Sequence, residues 1–482
     1  MCQDTGVPVF HVYLNAGVSV EGDVETALTD ATIAATRDIP LRQNVVEPFT
    51  SENSGTNTGW GVPFIHYHYS STPGPLRLRV ELKGFGGEIK SSSDWIMTST
   101  RNMENAVLAY VLNSVILSKG EACLPSFLGV GVGGYAAEAM PNAKNAIFRE
   151  LSRPQHEKTA FEQKLERCVN ALGLGTGALG GKVTTMGVYV EPRGTHTAVS
   201  SVAVAHQCWA SSGSEVLVGE DRVEFVTPHL VKDEAASVRD QITTGFGSAD
   251  LKETVHYLRT PVSQEAIAKL RVGDIVYLTG VVCTARDRAH RRMVLAIDAG
   301  EELPPEIVQS RALFHCGPVV AEGHCGWCVN AAGPTTSSRF TNDGALLVEH
   351  DVFNIAIGKG TMGERMRTAL IGRGAYLTAV GGCAVTYQKK IRAANPQWLD
   401  LGYPEAVWVF QVEEFGPLVV GIDSTGASLS GRVMQQVYEN AREIYAQEGL
   451  NPEERYAQYP VSLAGLSLEE IASMNLSPPD ET

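Results

Sequence analysis

The sequence has no excess of basic residues. Its 482 residues include 39 Lys and Arg against 54 Asp and Glu, which gives a formal net charge of −15. Proteins that bind nucleic acids need clustered cations to displace the counterions of the phosphate backbone, so we expect no nucleic-acid partner. Only 19% of the residues are charged and 44% are apolar, and this balance excludes an intrinsically disordered chain.

Long apolar runs are missing as well. Apolar residues never continue uninterrupted for about eighteen positions, the length that a membrane-spanning helix requires, so we expect no membrane segment. The first residues carry neither the basic segment nor the apolar core of a secretory signal peptide. We therefore expect a cytoplasmic protein.

Cysteine is scarce for a chain of this length. The nine cysteines are too few to form a disulfide scaffold, and an odd number leaves at least one thiol unpaired. Reduced thiols or metal ligands are therefore expected. Glycine, by contrast, is abundant: 48 residues gather in clusters such as 129–134 and 173–177. Backbone of this kind can approach a ligand closely.

The pattern of apolar residues predicts a mixed α/β fold. At about 150 residues per domain, the chain should contain two or three compact units. Helical spacing occurs in 102–119, 157–172 and 431–448, and the strands do not alternate regularly with helices. The predicted strands are 64–69, 76–82, 183–190, 199–204, 272–280, 406–412 and 418–422.

A polar, glycine-containing stretch near residues 230–252 separates the two halves. Such composition is typical of a connection between compact units. We predict a first domain at 1–235, a linker at 236–252 and a second domain at 253–482.

Three cysteines lie among residues that suit a ligand loop. Cys2 begins Cys-Gln-Asp-Thr-Gly, Cys123 precedes Leu-Pro-Ser and a glycine cluster, and Cys208 follows a histidine and a glutamine. They are far apart in the chain, so only the fold could gather them around one metal. An arbitrary cysteine is more often a small buried hydrophobe, and the spacing alone leaves both interpretations open.

Two other motifs have weaker support. The glycines of 175–180 match the dinucleotide fingerprint, but that fingerprint needs a preceding strand and a following helix, and here the predicted order is reversed. Cys325 and Cys328 have the spacing of a thiol-disulfide or zinc half-site. A zinc site would need two more ligands, for which His315, Cys316 and His324 are near in sequence. Structural thiols remain the alternative.

Three segments of the second half combine cations, hydroxyls and glycine or proline: 286–290, 333–339 and 358–360. Arginine binds carboxylates through paired hydrogen bonds, and lysine adds a point charge. A single Arg or Lys is usually a solvated surface charge. Three such segments together favour a site for a small polyanion, despite the negative net charge.

Seven motifs in a fixed order carry a resemblance to a known family. They are Cys2-Gln-Asp-Thr-Gly, Asn53-Ser-Gly-Thr-Asn-Thr-Gly, Cys123 ahead of its glycine run, Leu174-Gly-Thr-Gly-Ala-Leu-Gly-Gly, Ala285-Arg-Asp-Arg-Ala-His, Ala332-Gly-Pro-Thr-Thr-Ser and Glu413-Glu-Phe-Gly-Pro. Over nearly its whole length the chain resembles the class I, iron–sulfur-dependent fumarate hydratases and the related L(+)-tartrate dehydratases.

The resemblance implies an α-type and a β-type part fused in one chain, and a homodimer. The first part would be an iron–sulfur hydro-lyase domain and the second a swivelling β/α domain. It also implies a [4Fe-4S] cluster held by Cys2, Cys123 and Cys208. With only three thiolate ligands, one iron stays open as a Lewis acid.

The implied reaction is the reversible hydration of fumarate to (S)-malate, a step of the tricarboxylic acid cycle, with L(+)-tartrate dehydration or mesaconate hydration as alternatives. By motif position, Asp4 and Thr335 would form the proton-transfer pair, and His196 would lie near the leaving hydroxyl. Threonine is a poor base unaided, so this assignment needs a neighbouring charge or burial. The residues implied to bind the substrate dicarboxylate are Gln3, Arg42, Arg286, Thr336, Arg339 and Lys359.

Two interpretations from other classes remain open. The chain could be a non-catalytic binding protein that has lost its cluster, or a thiol-redox protein that works through Cys325 and Cys328. Iron content and turnover of an enedioate separate them from the hydro-lyase interpretation.

Overall fold

The computed structural model describes most of the chain. The described residues are 4–39, 41–98, 102–148, 158–210, 212–219, 222–226, 254–323, 326–454 and 467–471. The predicted linker at 236–252 lies outside them. No helix among these residues is long and apolar enough to cross a membrane.

The first half contains nine of the described strands and five helices. The strands are β1 (Val7–Ala16), β2 (Phe64–Pro73), β3 (Leu76–Lys83), β4 (Ser92–Met97), β5 (Ser126–Val132), β6 (Thr185–Pro192), β7 (Val199–Cys208), β8 (Ser212–Val218) and β9 (Val223–Val226). The helices are α1 (Val24–Asp38), α2 (Phe85–Glu88), α3 (Met103–Ser118), α4 (Ala136–Ile147) and α5 (Ala160–Ala171). The strands form two sheets, in the orders β2-β1-β3-β8-β9 and β4-β7-β5-β6.

Helix α3 lies in the centre of the first half. It begins after Asn102, whose side chain accepts a hydrogen bond from the Asn105 N–H. Every residue in 106–116 is buried, as expected for a helix that is apolar on all sides. It ends where Lys119 and then Gly120 adopt positive φ angles of 48° and 77°. The chain therefore turns directly into the loop that carries Cys123.

The second half contains the other described strands and helices. The strands are β10 (Val255–Arg259), β11 (Ile275–Thr284), β12 (Ala312–Phe314), β13 (Val319–Gly323), β14 (Gly326–Ala331), β15 (Ile355–Gly358), β16 (Ala375–Thr378), β17 (Ile391–Gln397) and β18 (Val407–Ile422). The helices are α6 (Gln264–Ile267), α7 (Asp287–Asp298), α8 (Pro305–Ser310), α9 (Thr341–Glu349), α10 (Glu364–Leu370), α11 (Ala384–Gln388) and α12 (Leu429–Gln447). Short 3-10 helices occur at Thr176–Ala178, Ser338–Phe340 and Leu399–Leu401.

The main sheet of the second half closes on itself. Its order is β10-β11-β12-β15-β16-β18-β17, and β18 also pairs with β11. Strands β12, β15 and β16 are parallel neighbours, so their carboxyl ends meet at one edge of the sheet. His315, Lys359 and Ala379 follow those three ends directly. Ligands commonly bind outside the carboxyl ends of parallel strands.

Helix α12 leaves the second half and packs on the first. Its buried residues Val437, Ala441 and Ile444 belong to the same apolar cluster as the residues of α3. The Tyr445 hydroxyl donates to Asn113 Oδ1 at 3.1 Å. This helix, the last long one among the described residues, therefore completes the core of the first half.

The mixed α/β prediction is confirmed, and the three predicted helices are present as α3, α5 and α12. One strand prediction is wrong: 406–412 and 418–422 are parts of the single strand β18. The pairing of β18 with β11 shifts register between Val276 and Leu278, opposite Phe415 and Leu418. Such an irregularity accommodates Pro417, which has no N–H to donate to a ladder.

Candidate active site

Strand pairing brings two of the three predicted cluster ligands together. Strands β5 and β7 are antiparallel, and Ser126 at the start of β5 lies opposite Cys208 at the end of β7. Cys123 stands three positions before Ser126, in a loop where its own φ is 60°. The Cys208 side chain hydrogen-bonds the Cys123 side chain. The third predicted ligand, Cys2, and the neighbouring Gln3 lie outside the described residues.

The Cys123 thiol is prepared to ionise. Its hydrogen bond with Cys208 and the positive charge of Lys359 lower its pKa to about 6, although burial acts in the opposite direction. Lys359 Nζ lies 2.5 Å from Cys123 Sγ. Because the thiolate is the form that binds metals, this environment suits a metal ligand better than an inert core cysteine.

Glycine backbone surrounds the same sulfur. A Cβ atom at Gly381 would lie 2.9 Å from Cys123 Sγ, and one at Gly86 would lie 3.6 Å from it. These two glycines belong to different halves of the chain. The thiol pair and its glycine surroundings fit an iron–sulfur cluster. Among the described residues alone, no group of three or more His, Cys, Asp or Glu side chains forms a metal site.

Asp4 anchors the segment that follows Cys2. Its Oδ1 accepts from the Arg42 guanidinium at 2.7 Å and from Asn44 Nδ2 at 3.1 Å. Its Oδ2 accepts from the Phe85 N–H at 3.1 Å. Burial raises the Asp4 pKa, but the charges of Arg42 and Lys359 and the amide donors together hold it below its usual range. Asp4 is therefore a carboxylate that faces two of the predicted substrate-binding cations.

Arg42 and Arg286 approach each other from opposite halves. Arg42 Nη1 donates to the Gly317 carbonyl at 3.0 Å. A Cβ at Gly317 would lie 2.5 Å from the Pro404 carbonyl oxygen and 2.8 Å from the Arg286 side chain, so only glycine fits there. Arg286 Nε lies 3.3 Å from Glu405 Oε1. Gly317 thus spaces two buried or half-buried guanidiniums at the junction of the halves.

Arg339 links the proposed proton-transfer hydroxyl to this cationic group. Its Nη2 donates to Thr335 Oγ1 at 3.0 Å and lies 3.3 Å from Asp287 Oδ2. Burial lowers the Arg339 pKa, and the positive charges of Arg286 and Arg42 lower it further, while Asp287 raises it. A cationic donor favours the oxyanion form of a hydroxyl, so Arg339 supplies the neighbouring charge that Thr335 needs.

Backbone hydrogen bonds hold Thr335 and Thr336 against Lys359. Lys359 N–H donates to the Thr335 carbonyl at 3.2 Å, and Ser337 N–H donates to the Lys359 carbonyl at 3.0 Å. Thr336 and Lys359 form the parallel bridge between these bonds. Since Lys359 Nζ also contacts Cys123 Sγ, the loop of the second half reaches the Cys123 thiol of the first half directly.

His196 is not brought to this site within one chain. It is exposed and accepts from the Ala198 N–H at 3.1 Å, just before β7 begins. Cys208 lies at the other end of β7, and ten residues of strand span about 30 Å. The role of His196 beside the leaving hydroxyl stays a prediction.

The sequence reasoning missed the partners of the cations. Asn44 binds both Arg42 and Asp4, Glu405 pairs with Arg286, and Gly317 separates the two arginines. Asn44 follows Arg42 closely in the sequence, which is a usable signal. Glu405 and Gly317 stand in segments with no recognisable motif, so only the fold could identify them.

The alternative thiol pair is only partly described. Cys328 lies exposed on β14, whereas Cys325 and His324 are outside the described residues. His315 and Cys316 are both fully buried. A zinc or redox role for this region stays untested.

Comparisons with known proteins show which family the chain resembles along most of its length. A family model described as fumarate hydratase matches residues 1–216, and one described as the fumarase C-terminus matches residues 229–433. A provisionally named class I fumarate hydratase from Geobacillus stearothermophilus is 32% identical over 442 residues, which cover 89% of this chain and 84% of that protein.

Two relatives correspond to the halves separately, both from Methanocaldococcus jannaschii. A provisionally named L(+)-tartrate dehydratase subunit beta is 36% identical over 193 residues, covering 39% of this chain and 98% of the subunit. The matching subunit alpha is 33% identical over 220 residues, covering 44% of this chain and 75% of the subunit.

Proposed function

The chain belongs to the class I fumarate hydratase family of iron–sulfur-dependent hydro-lyases, and from this premise we propose that it catalyses the reversible hydration of fumarate to (S)-malate. The observation that carries the proposal is that cations from both halves meet around Asp4 and Thr335, and that one of them, Lys359, contacts the Cys123 thiol. Arg42 comes from the first half, and Arg286, Arg339 and Lys359 come from the second.

This arrangement suits a small dicarboxylate. Each guanidinium can give two parallel hydrogen bonds to one carboxylate, and Lys359 adds a charge on the Cys123 side. Cations on both sides of a junction between halves can hold the two ends of one substrate. Pockets at such junctions are common ligand sites.

Cys2, Cys123 and Cys208 would hold a [4Fe-4S] cluster, which when bound supplies a Lewis acid to the substrate hydroxyl through its open iron. The lowered pKa of the Cys123 thiol to about 6 supports thiolate ligation near neutral pH. Gly381 leaves no room for a side chain beside this sulfur, because a Cβ there would lie 2.9 Å from Cys123 Sγ. The homodimeric state and the cytoplasmic location inferred from the sequence belong to the same proposal.

The chain's own residues would carry the proton transfer. As its alkoxide, Thr335 would take the C3 proton in the dehydration direction and become a neutral hydroxyl, which returns that proton in hydration. Arg339, hydrogen-bonded to Thr335 Oγ1, would stabilise the alkoxide and so raise the fraction of Thr335 that can act as a base. Asp4 would act as the paired carboxylate, held ionised by Arg42 and Lys359.

Tartrate is the main alternative substrate, because both halves also match provisionally named tartrate dehydratase subunits. The fused arrangement favours fumarate: one provisionally named fumarate hydratase spans both halves, whereas the tartrate relatives match them one at a time. Anaerobic turnover of fumarate, mesaconate and L(+)-tartrate by the same preparation would rank them. A hydroxyl or methyl group changes kcat/KM according to the pocket wall it meets.

A pair of cysteine variants tests the enzyme class. Anaerobically prepared protein should contain about four irons and four sulfides per chain and should consume fumarate, seen as loss of its ultraviolet absorbance. Cys208→Ser should lose both properties. Cys328→Ser, which alters an exposed thiol on β14, should keep both. Disulfide reductase activity that Cys328→Ser abolishes, in a protein without iron, would instead support the thiol-redox alternative.

A further inference from the structure

Three buried polar side chains form a continuous hydrogen-bond chain beneath the proposed site. His315 Nδ1 lies 2.8 Å from Ser337 Oγ, and the Tyr376 hydroxyl lies 3.1 Å from the same Ser337 oxygen. The Tyr376 hydroxyl is also 3.1 Å from the Gly360 carbonyl. His315, Ser337 and Tyr376 are between 0% and 1% exposed.

The hydrogen-bond chain of His315, Ser337 and Tyr376 requires a glycine next to it and the burial of polar groups. A Cβ at Gly358 would lie 1.9 Å from Ser337 Oγ and 2.9 Å from His315 Nδ1, so the contact exists only because residue 358 is glycine. Burying polar groups is unfavourable unless they are hydrogen-bonded, and apolar side chains would fill the same space without that requirement. Filling the core therefore does not explain why these three hydrogen-bonded side chains are buried here.

Each member is attached to a loop that carries a proposed site residue. The His315 carbonyl accepts from the Thr335 N–H at 2.7 Å. Ser337 N–H donates to the Lys359 carbonyl. Tyr376 reaches the carbonyl of Gly360, the residue after Lys359. The three side chains thus connect the Thr335 turn with the Lys359 loop across the ends of β12, β15 and β16.

The number of available protons determines which group donates in each hydrogen bond of this network. The Gly360 carbonyl can only accept, so the single Tyr376 hydroxyl proton satisfies it. The contact between Tyr376 and Ser337 then uses the Ser337 proton, so a neutral His315 completes the network by donating from Nδ1 to Ser337 Oγ. Burial keeps the His315 pKa well below its ordinary value, so this neutral form persists.

We propose that His315, Ser337 and Tyr376 are positioning residues, whose hydrogen-bond chain fixes Thr335 relative to Lys359 and so sets the geometry of proton transfer. The inference rests on the proposed hydration reaction. Proton transfer is sensitive to small displacements, and a misplacement of about 1 Å can cost a hundredfold in rate. Carboxylate binding by several cations tolerates such a displacement better.

The test compares Ser337→Ala, Tyr376→Phe and the double variant in the anaerobic holoenzyme. Each single variant should lower kcat per bound cluster about ten- to a hundredfold, with KM changed by less than about threefold. The double variant should be no slower than the slower single one, because both remove the same chain. Thermal unfolding and iron content should stay close to those of the unaltered protein.

The matched control is Ser310→Ala, which also removes a buried hydroxyl. Ser310 lies just before the start of β12, whereas His315 follows its end, and Ser310 Oγ donates to the Ile307 carbonyl at 3.2 Å. Its kcat should be unchanged. Unchanged kcat in Ser337→Ala and Tyr376→Phe, or losses that follow a fall in unfolding temperature, would overturn the positioning role. An unaltered protein that hydrates no enedioate would overturn the proposed function itself, and the inference with it.

Discussion

Replacing Gly381 with alanine would place a methyl group against the Cys123 thiol. The new Cβ would lie 2.9 Å from Cys123 Sγ and 3.3 Å from Lys359 Cδ. Non-bonded carbon contacts are favourable at about 3.5–4.0 Å, so the sulfur or the lysine must move by roughly half an ångström. Overpacking of this kind costs about 1–3 kcal/mol. That cost corresponds to about a 5- to 140-fold change in an equilibrium constant.

We expect Gly381→Ala to weaken cluster retention by about that factor, because one ligand sulfur is displaced. The assay is iron per chain after equilibration with increasing chelator concentrations under anaerobic conditions, together with denaturant unfolding. Gly86→Ala should have a smaller effect, because its closest new contact is the flexible Lys359 Nζ at 2.9 Å. Gly431→Ala is the control, since its nearest contact is an ordinary 3.6 Å.

Retention of iron by Gly381→Ala equal to that of Gly431→Ala would refute the reasoning. It would mean that Cys123 is not a cluster ligand, or that residues 380–382 are not packed against its thiol. A loss shared equally by all three variants would point to a general effect of alanine on folding. Only the graded order supports a steric effect at the thiol.

Two further outcomes follow from the charges. Arg339→Lys should lower kcat about ten- to a hundredfold, because a charge-assisted hydrogen bond to Thr335 contributes about 1.5–3 kcal/mol and the shorter lysine side chain cannot place its ammonium where Arg339 Nη2 lies. Steady-state kinetics check this prediction, and an equal kcat would contradict it. Burial, then the charge of Arg79, lowers the His11 pKa from 6.5 to about 2, so the folded state stays neutral where the unfolded state takes up a proton. Stability then falls as pH falls below 6.5, by about 1.4 kcal/mol at pH 5.5, and His11→Gln should lessen that loss in denaturant titrations at pH 7.5 and 5.5.

The helices were predictable because their local signals agree with their surroundings. Helix α3 was predicted at 102–119 and occurs at Met103–Ser118. Apolar residues at helical spacing, with an asparagine before them and a glycine after them, indicate a helix and its ends. Helix α12 was predicted equally well, but its contact with α3 was not. The sequence of an amphipathic helix shows that one face is apolar, but it does not identify the surface against which that face packs.

Only the reactive side chains of the proposed site could be predicted from the sequence. Motifs pointed to Cys123, Cys208 and Lys359, and the structure brings these three together. The chain of His315, Ser337 and Tyr376 gave no such signal, although the 333–339 segment was noted for its hydroxyls. His315 follows β12, Ser337 stands just before the 3-10 helix at Ser338–Phe340, and Tyr376 lies on β16, so the three meet only after the sheet has formed. Their role depends on distances that no sequence spacing encodes.

The net charge of −15 initially argues against an anionic ligand, but the pairing of the arginines reverses that argument. Asp4 lies 2.7 Å from Arg42, and Glu405 lies 3.3 Å from Arg286. Burying a guanidinium without a partner would cost several kcal/mol, so part of the acidic composition is what allows cations to collect at the junction of the halves. A dicarboxylate that binds there competes with these internal carboxylates for the same guanidiniums. Its affinity is therefore set by the difference between two sets of charge-assisted hydrogen bonds, and a moderate affinity is what a reversible hydration requires, since both substrate and product must leave.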